Sequence, residues 1–340
     1  MVSHSKKHSG TQAEQNLSLN TLYKDIREDL DTVEETLKLF SRSSNIIISE
    51  ISSYLIQNSG KRIRPALLLL CSKLLGYKGK ENILMSAIVE TIHTASLIHD
   101  DIIDNSKIRR GKETIHARWG ANITVLLGDY LYIKAVGLSL GSTHTQIIQI
   151  LTNTSVQMIE GELNEYYLSG NLDIEEESYL DIINKKTASL FSASCRIGAI
   201  LANSSKKEEQ DLAKFGANLG MSFQIIDDLL DFTGDEKILG KPILSDLNEG
   251  RVTLPLIYTL KNDNYMNRKL LTSFLKEKNG SKKYKKEISE IIQSNGALQY
   301  TQSKAREFSL KSKEIIRQFP QSIYRDTLTL FPDLILTRNK

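Results

Sequence analysis

Apolar positions recur every three to four residues through most of the chain, the period of a helix with one buried face. Leu84, Ile88, Ile92 (or Thr91), Ala95 and Ile102 keep this spacing most regularly and predict a helix over 81–104. The same period predicts helices over 18–40 and 45–57, with Ser18 as N-cap of the first. Asn58-Ser59-Gly60 breaks the pattern, and Pro65 then falls in a first helical turn, where its missing N–H costs nothing. Residues 105–122 are small and basic and predict a long loop. Helices resume over 123–140, 144–168, 175–184, 187–202 and 206–232. A second long loop covers 233–250; Pro255 then lies just inside another helix, and four shorter ones follow to about Leu334. Gly216 and Gly220, four apart, permit a neighbouring helix to come close. The sequence has no strand alternation, fixed-period repeat or Pro- and Gly-rich linker. It predicts one all-α domain over 18–340, built as a helical bundle, behind a polar tail at 1–17 that is expected to be disordered.

Composition narrows the class. Hydrophobic residues make up 40% and charged residues 25% of 340, which excludes general disorder. The net charge of +3 is too small to point to nucleic acid, so basic residues matter as local clusters. Cys71 and Cys195 have no second Cys or His at metal spacing. They are expected to be small core residues in a reducing, cytoplasmic setting. Residues 1–15 lack the apolar core of a secretory signal. The longest apolar stretches, 63–75 and 123–140, are short or interrupted by Arg64, Lys73, Asp129 and Lys134. A membrane span needs roughly 20 apolar residues with few charges, so none is expected.

The chemistry concentrates in two acidic clusters, Asp100-Asp101-Ile102-Ile103-Asp104 and Asp227-Asp228-Leu229-Leu230-Asp231. Within each, the first and last Asp stand one turn apart on one helix face. Like charges at that spacing repel, and the helix C-terminal ends nearby disfavour them further. Such pairs call for a counter-cation. Carboxylate oxygens are hard ligands, which points to Mg²⁺ sharing its shell with water and a phosphate group. A solvated acidic face would explain one cluster, but it is a poor account of two with identical spacing among apolar neighbours.

Basic groups lie close to both clusters: Lys61, Arg62 and Arg64 at a helix entrance, Arg109-Arg110-Gly111-Lys112 after the first cluster, Lys185-Lys186-Thr187, and Gly240-Lys241. Arg offers a fork for phosphate and Lys a point charge. Together they describe a pocket for two diphosphates, one held through metal and one by cations directly. His93, seven residues before Asp100, and Gln224, three before Asp227, fall near the acidic faces. Asp129, on an apolar helix, is expected to pair with one of the basic groups.

Leu97-Ile98-His99-Asp100-Asp101-Ile102-Ile103-Asp104 with Arg109-Arg110-Gly111 resembles the first aspartate-rich motif of the trans-isoprenyl (polyprenyl) diphosphate synthases. Gly220 to Asp231, then Gly240-Lys241-Pro242 and Asp246-Leu247, resembles the second, and Gly60-Lys61-Arg62-Ile63-Arg64-Pro65 a third landmark. The similarity covers roughly 20–338 in the right order. It implies a helical bundle around a deep central cavity, usually in a homodimer. It also implies Mg²⁺ on Asp100, Asp104, Asp227 and Asp231, supported by Asp101 and Asp228. Isopentenyl diphosphate would fall to Lys61, Arg64, His93 and Arg110, and the allylic diphosphate to Arg109, Lys186 and Lys241. Thr187 and Gln224 would turn their oxygens to the allylic cation. The implied reaction ionises the allylic diphosphate, adds the isopentenyl double bond and loses a proton, with the released diphosphate as base. Leu244 stands where many members have Gly, and Arg251 where many have Lys.

In the family, bulky aromatics just before the first cluster stop elongation. Ala95 and Ser96 are small, so the resemblance implies a long all-trans product of about C30–C50, of the kind used for quinone side chains and passed to a membrane. Ala95→Phe is then expected to shorten it. A farnesyl- or geranylgeranyl-length product is the alternative. A class I terpene cyclase would carry a different second metal motif, and a regulatory partner subunit would lack one cluster.

Overall fold

A computed structural model describes residues 18–56, 60–234, 243–262, 265–276 and 282–338. The tail at 1–17 and Lys241 lie outside these residues.

Seventeen described helices follow one another, with one small hairpin. The first expected helix is broken in two. Ser18 caps α1 (Leu19–Leu22) through its side chain, a 3₁₀ turn covers Lys24–Ile26, and α2 runs Arg27–Ser41. Then come α3 (Ile46–Ile56), α4 (Ile63–Leu74) and α5 (Glu81–Ile103). The predicted loop at 105–122 is more ordered than its composition suggests. It forms an antiparallel pair, β1 (Ile108–Arg109) and β2 (Lys112–Glu113), turning at Arg110 and Gly111, both with positive φ. It closes with α6 (Ile115–Trp119), capped by Thr114.

Next are α7 (Ala121–Ser139), α8 (Thr145–Tyr167), α9 (Glu176–Ile183) and α10 (Ser189–Leu201). A π turn over Asn184–Ala188 joins α9 to α10, so the two helices expected here form one irregular rod. Helix α11 (Lys206–Thr233) opens with a capping box of Ser205 and Glu208. The chain finishes with α12 (Ser245–Asn248), α13 (Leu254–Asn262), α14 (Tyr265–Lys276), α15 (Lys282–Ser294), α16 (Ala297–Ile316) and α17 (Ile323–Leu336).

Helix α11 lies at the centre, packed most extensively on α16 and α10, with α4 on the far side of α10. Gly216 and Gly220 make the α10 contact possible. A methyl group at either would come within 2.6 Å of backbone atoms at Phe191 or Ala188. Cys71 and Cys195 are free and buried in this core. A second pairing, α5 on α7, carries a smaller apolar cluster of Ile51, Ala95, Ile98, Ile115, Leu127 and Leu131. Between the two assemblies lies a cavity of about 1780 Å³. Among the described residues, no helix is long and apolar enough to cross a membrane.

Candidate active site

Side chains from α4, α5, α8, α10's π turn, α11, the hairpin and the segment after α11 line this cavity. Asp100 and Asp104 reach it from α5, Asp227 and Asp228 from α11. The carboxyl of Asp100 is pushed up to about 7, first by burial and then by Glu162 and Asp104 nearby. Its anion is therefore poorly accommodated by the protein alone. Among the described residues, no three carboxylate, imidazole or thiolate groups close on one point. The acids come instead as pairs of hard oxygens facing shared space.

Helix α8 adds two acids that helical spacing did not single out. Lys186 makes ion pairs of 2.5 Å with both Glu162 and Glu165. Burial works against the ammonium, yet Glu165, Asp100 and Glu162 outweigh it and hold Lys186 charged. Gly161 is the reason the three meet. A methyl there would sit 2.7 Å from the Lys186 backbone nitrogen, so only glycine lets the π turn settle against α8. π turns often mark functional sites because they re-aim side chains within a helix. Here the extra residue points Lys186 and Thr187 into the cavity.

A chain of hydrogen bonds crosses from the π turn to α11. The Thr187 hydroxyl donates to Gln224 Oε1 at 2.8 Å. Gln224 Nε2 donates to Asp228 at 2.8 Å, and the Tyr179 hydroxyl donates to the other Asp228 oxygen at 2.6 Å. Burial raises Asp228 to about 8, with Asp246 adding to it, while the two donors pull the other way. Asp228 thus spends its oxygens on holding Gln224 and Tyr179. Asp101 does the same for the first cluster, accepting from Arg109 Nε at 2.6 Å.

The opposite wall is basic. Arg64 is buried, with its Nη1 3.1 Å from His93 Nε2 and its guanidinium over the Phe191 ring. Burial and Arg110 together lower it to about 10. The Arg64 Nε has no partner among the described residues. Burial, then Arg64, Arg110, Arg109 and Arg62, press His93 well below its ordinary value and keep it neutral. Lys61, Arg109 and Arg110 line the same wall. Arg62 also borders this wall, but its fork is taken by Glu34 and Glu90. That leaves a concentration of positive charge that an anion would relieve.

The model that matches residues 45–292 describes the polyprenyl synthetases. The chain belongs to the polyprenyl synthetase family. It is a prenyl-transferring enzyme. The octaprenyl diphosphate synthase of Haemophilus influenzae is 32% identical over 95% of this chain and 98% of its own length. The geranylgeranyl diphosphate synthase of Saccharolobus solfataricus is 38% identical over 87% of this chain and 91% of its own. A crystal structure of a polyprenyl synthase from Caulobacter crescentus, complexed with calcium and isoprenyl diphosphate, superposes with a TM-score of 0.91. It has 31% sequence identity and covers 95% of this chain and 98% of that one.

Three expectations for this polyprenyl synthetase need correction. Asp231 does not line the cavity. It is wholly buried, and its carboxylate accepts from Ser245 Oγ at 2.6 Å and from the Ser245 and Asp246 backbone N–H groups at 3.2 Å. It caps α12 and so brings Asp246 to the cavity, where sequence spacing had placed Asp231 itself. Ala95 does not form the cavity floor either. It faces Ile51, Leu127 and Leu131 in the smaller core, whereas Ser96 faces the cavity. Among the described residues Asp129 pairs with no Lys or Arg. Its described partner is His99, at 3.5 Å across the α5–α7 contact. A residue missed altogether is Arg338, near the chain end, whose guanidinium stacks over Phe223 and lies 3.4 Å from Asp227.

Proposed function

We propose that this synthase joins isopentenyl diphosphate to an allylic diphosphate with Mg²⁺, extending an all-trans chain to about C30–C50. One observation carries the reading: a single large cavity has paired carboxylates on one wall and buried, anion-seeking cations on the other. Asp100, Asp104 and Asp227 would hold the metal, with Asp246 close by. Pairs of hard oxygens suit Mg²⁺, which keeps waters and shares its shell with phosphate. The bound ion would neutralise the diphosphate as it leaves the allylic carbon.

The protein's own groups do the rest. Lys186, Arg109 and Lys241 would hold the allylic diphosphate, and Lys61, Arg64, His93 and Arg110 the isopentenyl one. Neutral His93 offers a hydrogen bond without adding charge. Thr187 and Gln224, fixed through Asp228 and Tyr179, would turn oxygens to the allylic cation. Met158, Ile159, Ile182 and Ile183 line the cavity and would keep water from it. Proton loss would fall to the departing diphosphate, since His93, beside the cations, has its Nε2 taken by Arg64.

The small Ser96 and the size of the cavity support a long product. The octaprenyl relative favours it, and the geranylgeranyl relative keeps a shorter one as the second reading. Helices α7 and α8 expose Leu126, Val156, Tyr166 and Tyr167 outside the cavity, which supports a homodimer covering them. The cytoplasm is the proposed compartment, with the product handed to a membrane.

The test is direct. Purified protein with Mg²⁺, isopentenyl diphosphate and geranyl or farnesyl diphosphate should yield elongated products, sized by reversed-phase chromatography, and EDTA should abolish them. No elongation with any primer would overturn the reading.

A further inference from the structure

Arg62 is the N-cap of α4, and its backbone is left-handed, at φ +54° and ψ +34°. That conformation disfavours any residue with a side chain, and an ordinary N-cap is extended. A residue stays there only when its surroundings fix it. The Arg62 carbonyl accepts from Ala66 N–H at 3.0 Å, a bond of α4's own first turn that leaves the direction of the preceding chain open. Ties to other elements come from side chains. The Arg62 fork is gripped twice. Its Nε and Nη2 donate to the two carboxylate oxygens of Glu34 on α2, the second at 3.0 Å, and its Nη1 donates to Glu90 on α5 at 2.7 Å. Burial works against the guanidinium, but Glu34 and Glu90 outweigh it and hold Arg62 charged. Beside it the Tyr23 hydroxyl donates to the Lys61 carbonyl at 2.6 Å.

Three cations of the basic wall take their places from this turn. Lys61 and Arg64 stand on either side of Arg62 and line the large cavity. The Arg110 guanidinium lies on Gly60, where an added methyl would come within 2.8 Å of its Nη1. The course of the chain at Arg62 therefore sets where all three charges sit. Arg62 itself borders the cavity, yet each of its guanidinium nitrogens is already bonded to a glutamate. Glu34 does not line the cavity. Arginine suits this place because its planar fork takes one carboxylate through two nitrogens and a second through the third.

We propose that Arg62, held by Glu34 and Glu90, is a positioning residue for isopentenyl diphosphate: it locks the 60–63 turn in its left-handed form, aims Lys61 and Arg64 into the cavity and seats Arg110, without touching the substrate. The assignment of that diphosphate to these cations rests on the function proposed above, but the lock on the turn does not.

Steady-state kinetics of the full chain with Mg²⁺, isopentenyl diphosphate and farnesyl diphosphate, beside melting curves, test it. Arg62→Gly keeps the left-handed backbone free of strain and removes the grip. Its KM for isopentenyl diphosphate should rise about 10–100-fold, as for charges misplaced by about 1 Å, while KM for farnesyl diphosphate stays within about threefold. Glu34→Gln leaves Glu90 in place and should raise the same KM alone by about 3–10-fold. The double variant should match Arg62→Gly within about twofold, since both changes remove one shared lock. A wild-type KM in Arg62→Gly would show that the backbone form alone suffices and would overturn the proposal. An unchanged or lowered KM in Glu34→Gln would overturn it too, by making Arg62 a substrate ligand that the glutamate restrains. Equal rises in both KM values, or a lower melting temperature with neither KM changed, would make the grip merely structural, with the same result. Lys61→Gln separates this proposal from the function it rests on. An unchanged KM for isopentenyl diphosphate there would overturn the assignment of the diphosphate to this wall, and the positioning role with it. Should Arg62→Gly fail to fold, Glu34→Gln, which removes one of two partners, carries the comparison.

Discussion

Ser96 and Ala95 are neighbours in sequence and face different surroundings, which gives a sharp test of where the growing chain runs. Ser96 lines the large cavity, and its hydroxyl donates to the His93 carbonyl of its own helix, at 2.9 Å. Ser96→Phe would project a ring into space that is already open. The cost to stability is then the lost hydrogen bond, about 0.5–1.5 kcal/mol, partly offset by burying the ring. Ala95 has no exposed surface and sits against Ile51, Ile98, Leu127 and Leu131. A phenyl ring there must displace packed side chains, at about 1–3 kcal/mol or more. In a large domain that lowers the melting temperature by about 2–4 °C per kcal/mol. Sizing of products by reversed-phase chromatography, beside melting curves, separates the two. Ser96→Phe should give shorter products with a near-native melting temperature. Ala95→Phe should melt several degrees lower with a smaller change in product length. Shortened products from Ala95→Phe at an unchanged melting temperature would refute the placement of the cavity.

Further outcomes follow from neighbouring groups. Tyr179→Phe removes one of two side-chain donors to Asp228 and should cost about 1.5–3 kcal/mol by chemical denaturation, with a lower kcat if Gln224 loosens. Lys186→Gln leaves Glu162 and Glu165 facing Asp100 without a cation, so KM for the allylic substrate should rise about 10–100-fold, while KM for isopentenyl diphosphate stays within about threefold. His93 is neutral when folded and free to take a proton when unfolded. The unfolded chain therefore binds more protons below about pH 6.5, so the stability contribution is complete above that pH. It falls by up to about 1.4 kcal/mol per unit as pH drops through it. His93→Asn should flatten the acid side of a pH–stability curve. Leu244 is buried at φ +57°, where glycine is unstrained. Leu244→Gly should still destabilise by about 1–3 kcal/mol, since the lost apolar burial exceeds the relieved strain.

The helices were legible because they are amphipathic over many turns, and the aspartate clusters because spacing along one helix is a local property. What the sequence hid is set by chain brought from elsewhere. Asp231 shares a face with Asp227 on paper, but Ser245 and Asp246 fold back over the end of α11 and claim its oxygens. Periodicity cannot register a cap that comes from fourteen residues downstream. Ala95 and Ser96 differ by one 100° step, and only the position of α7 decides which of them meets open space. Glu162 and Glu165 read as ordinary charges on an exposed helix until Gly161 brings the π turn against them. A better signal lay in that glycine, small in the middle of a helix and flanked by acids. The hairpin at 108–113 escaped notice because two-residue strands leave no alternation to count.

The π turn between α9 and α10 has a consequence for how sequences of this kind can change. Winding one extra residue into a helix rotates everything beyond it by about a quarter turn relative to everything before. Upstream of it Tyr179 and Ile183 keep their places, and downstream Leu190, Phe191 and Cys195 face the core. Losing a single residue at 184–188 would restore a regular helix and leave one of those two halves facing the wrong way. Apart from Lys186 and Thr187, this stretch should therefore tolerate substitution far better than insertion or deletion, and a library of one-residue indels across 140–144 and 176–201 should show activity vanishing at 184–188 while the exposed loop at 140–144 accepts them.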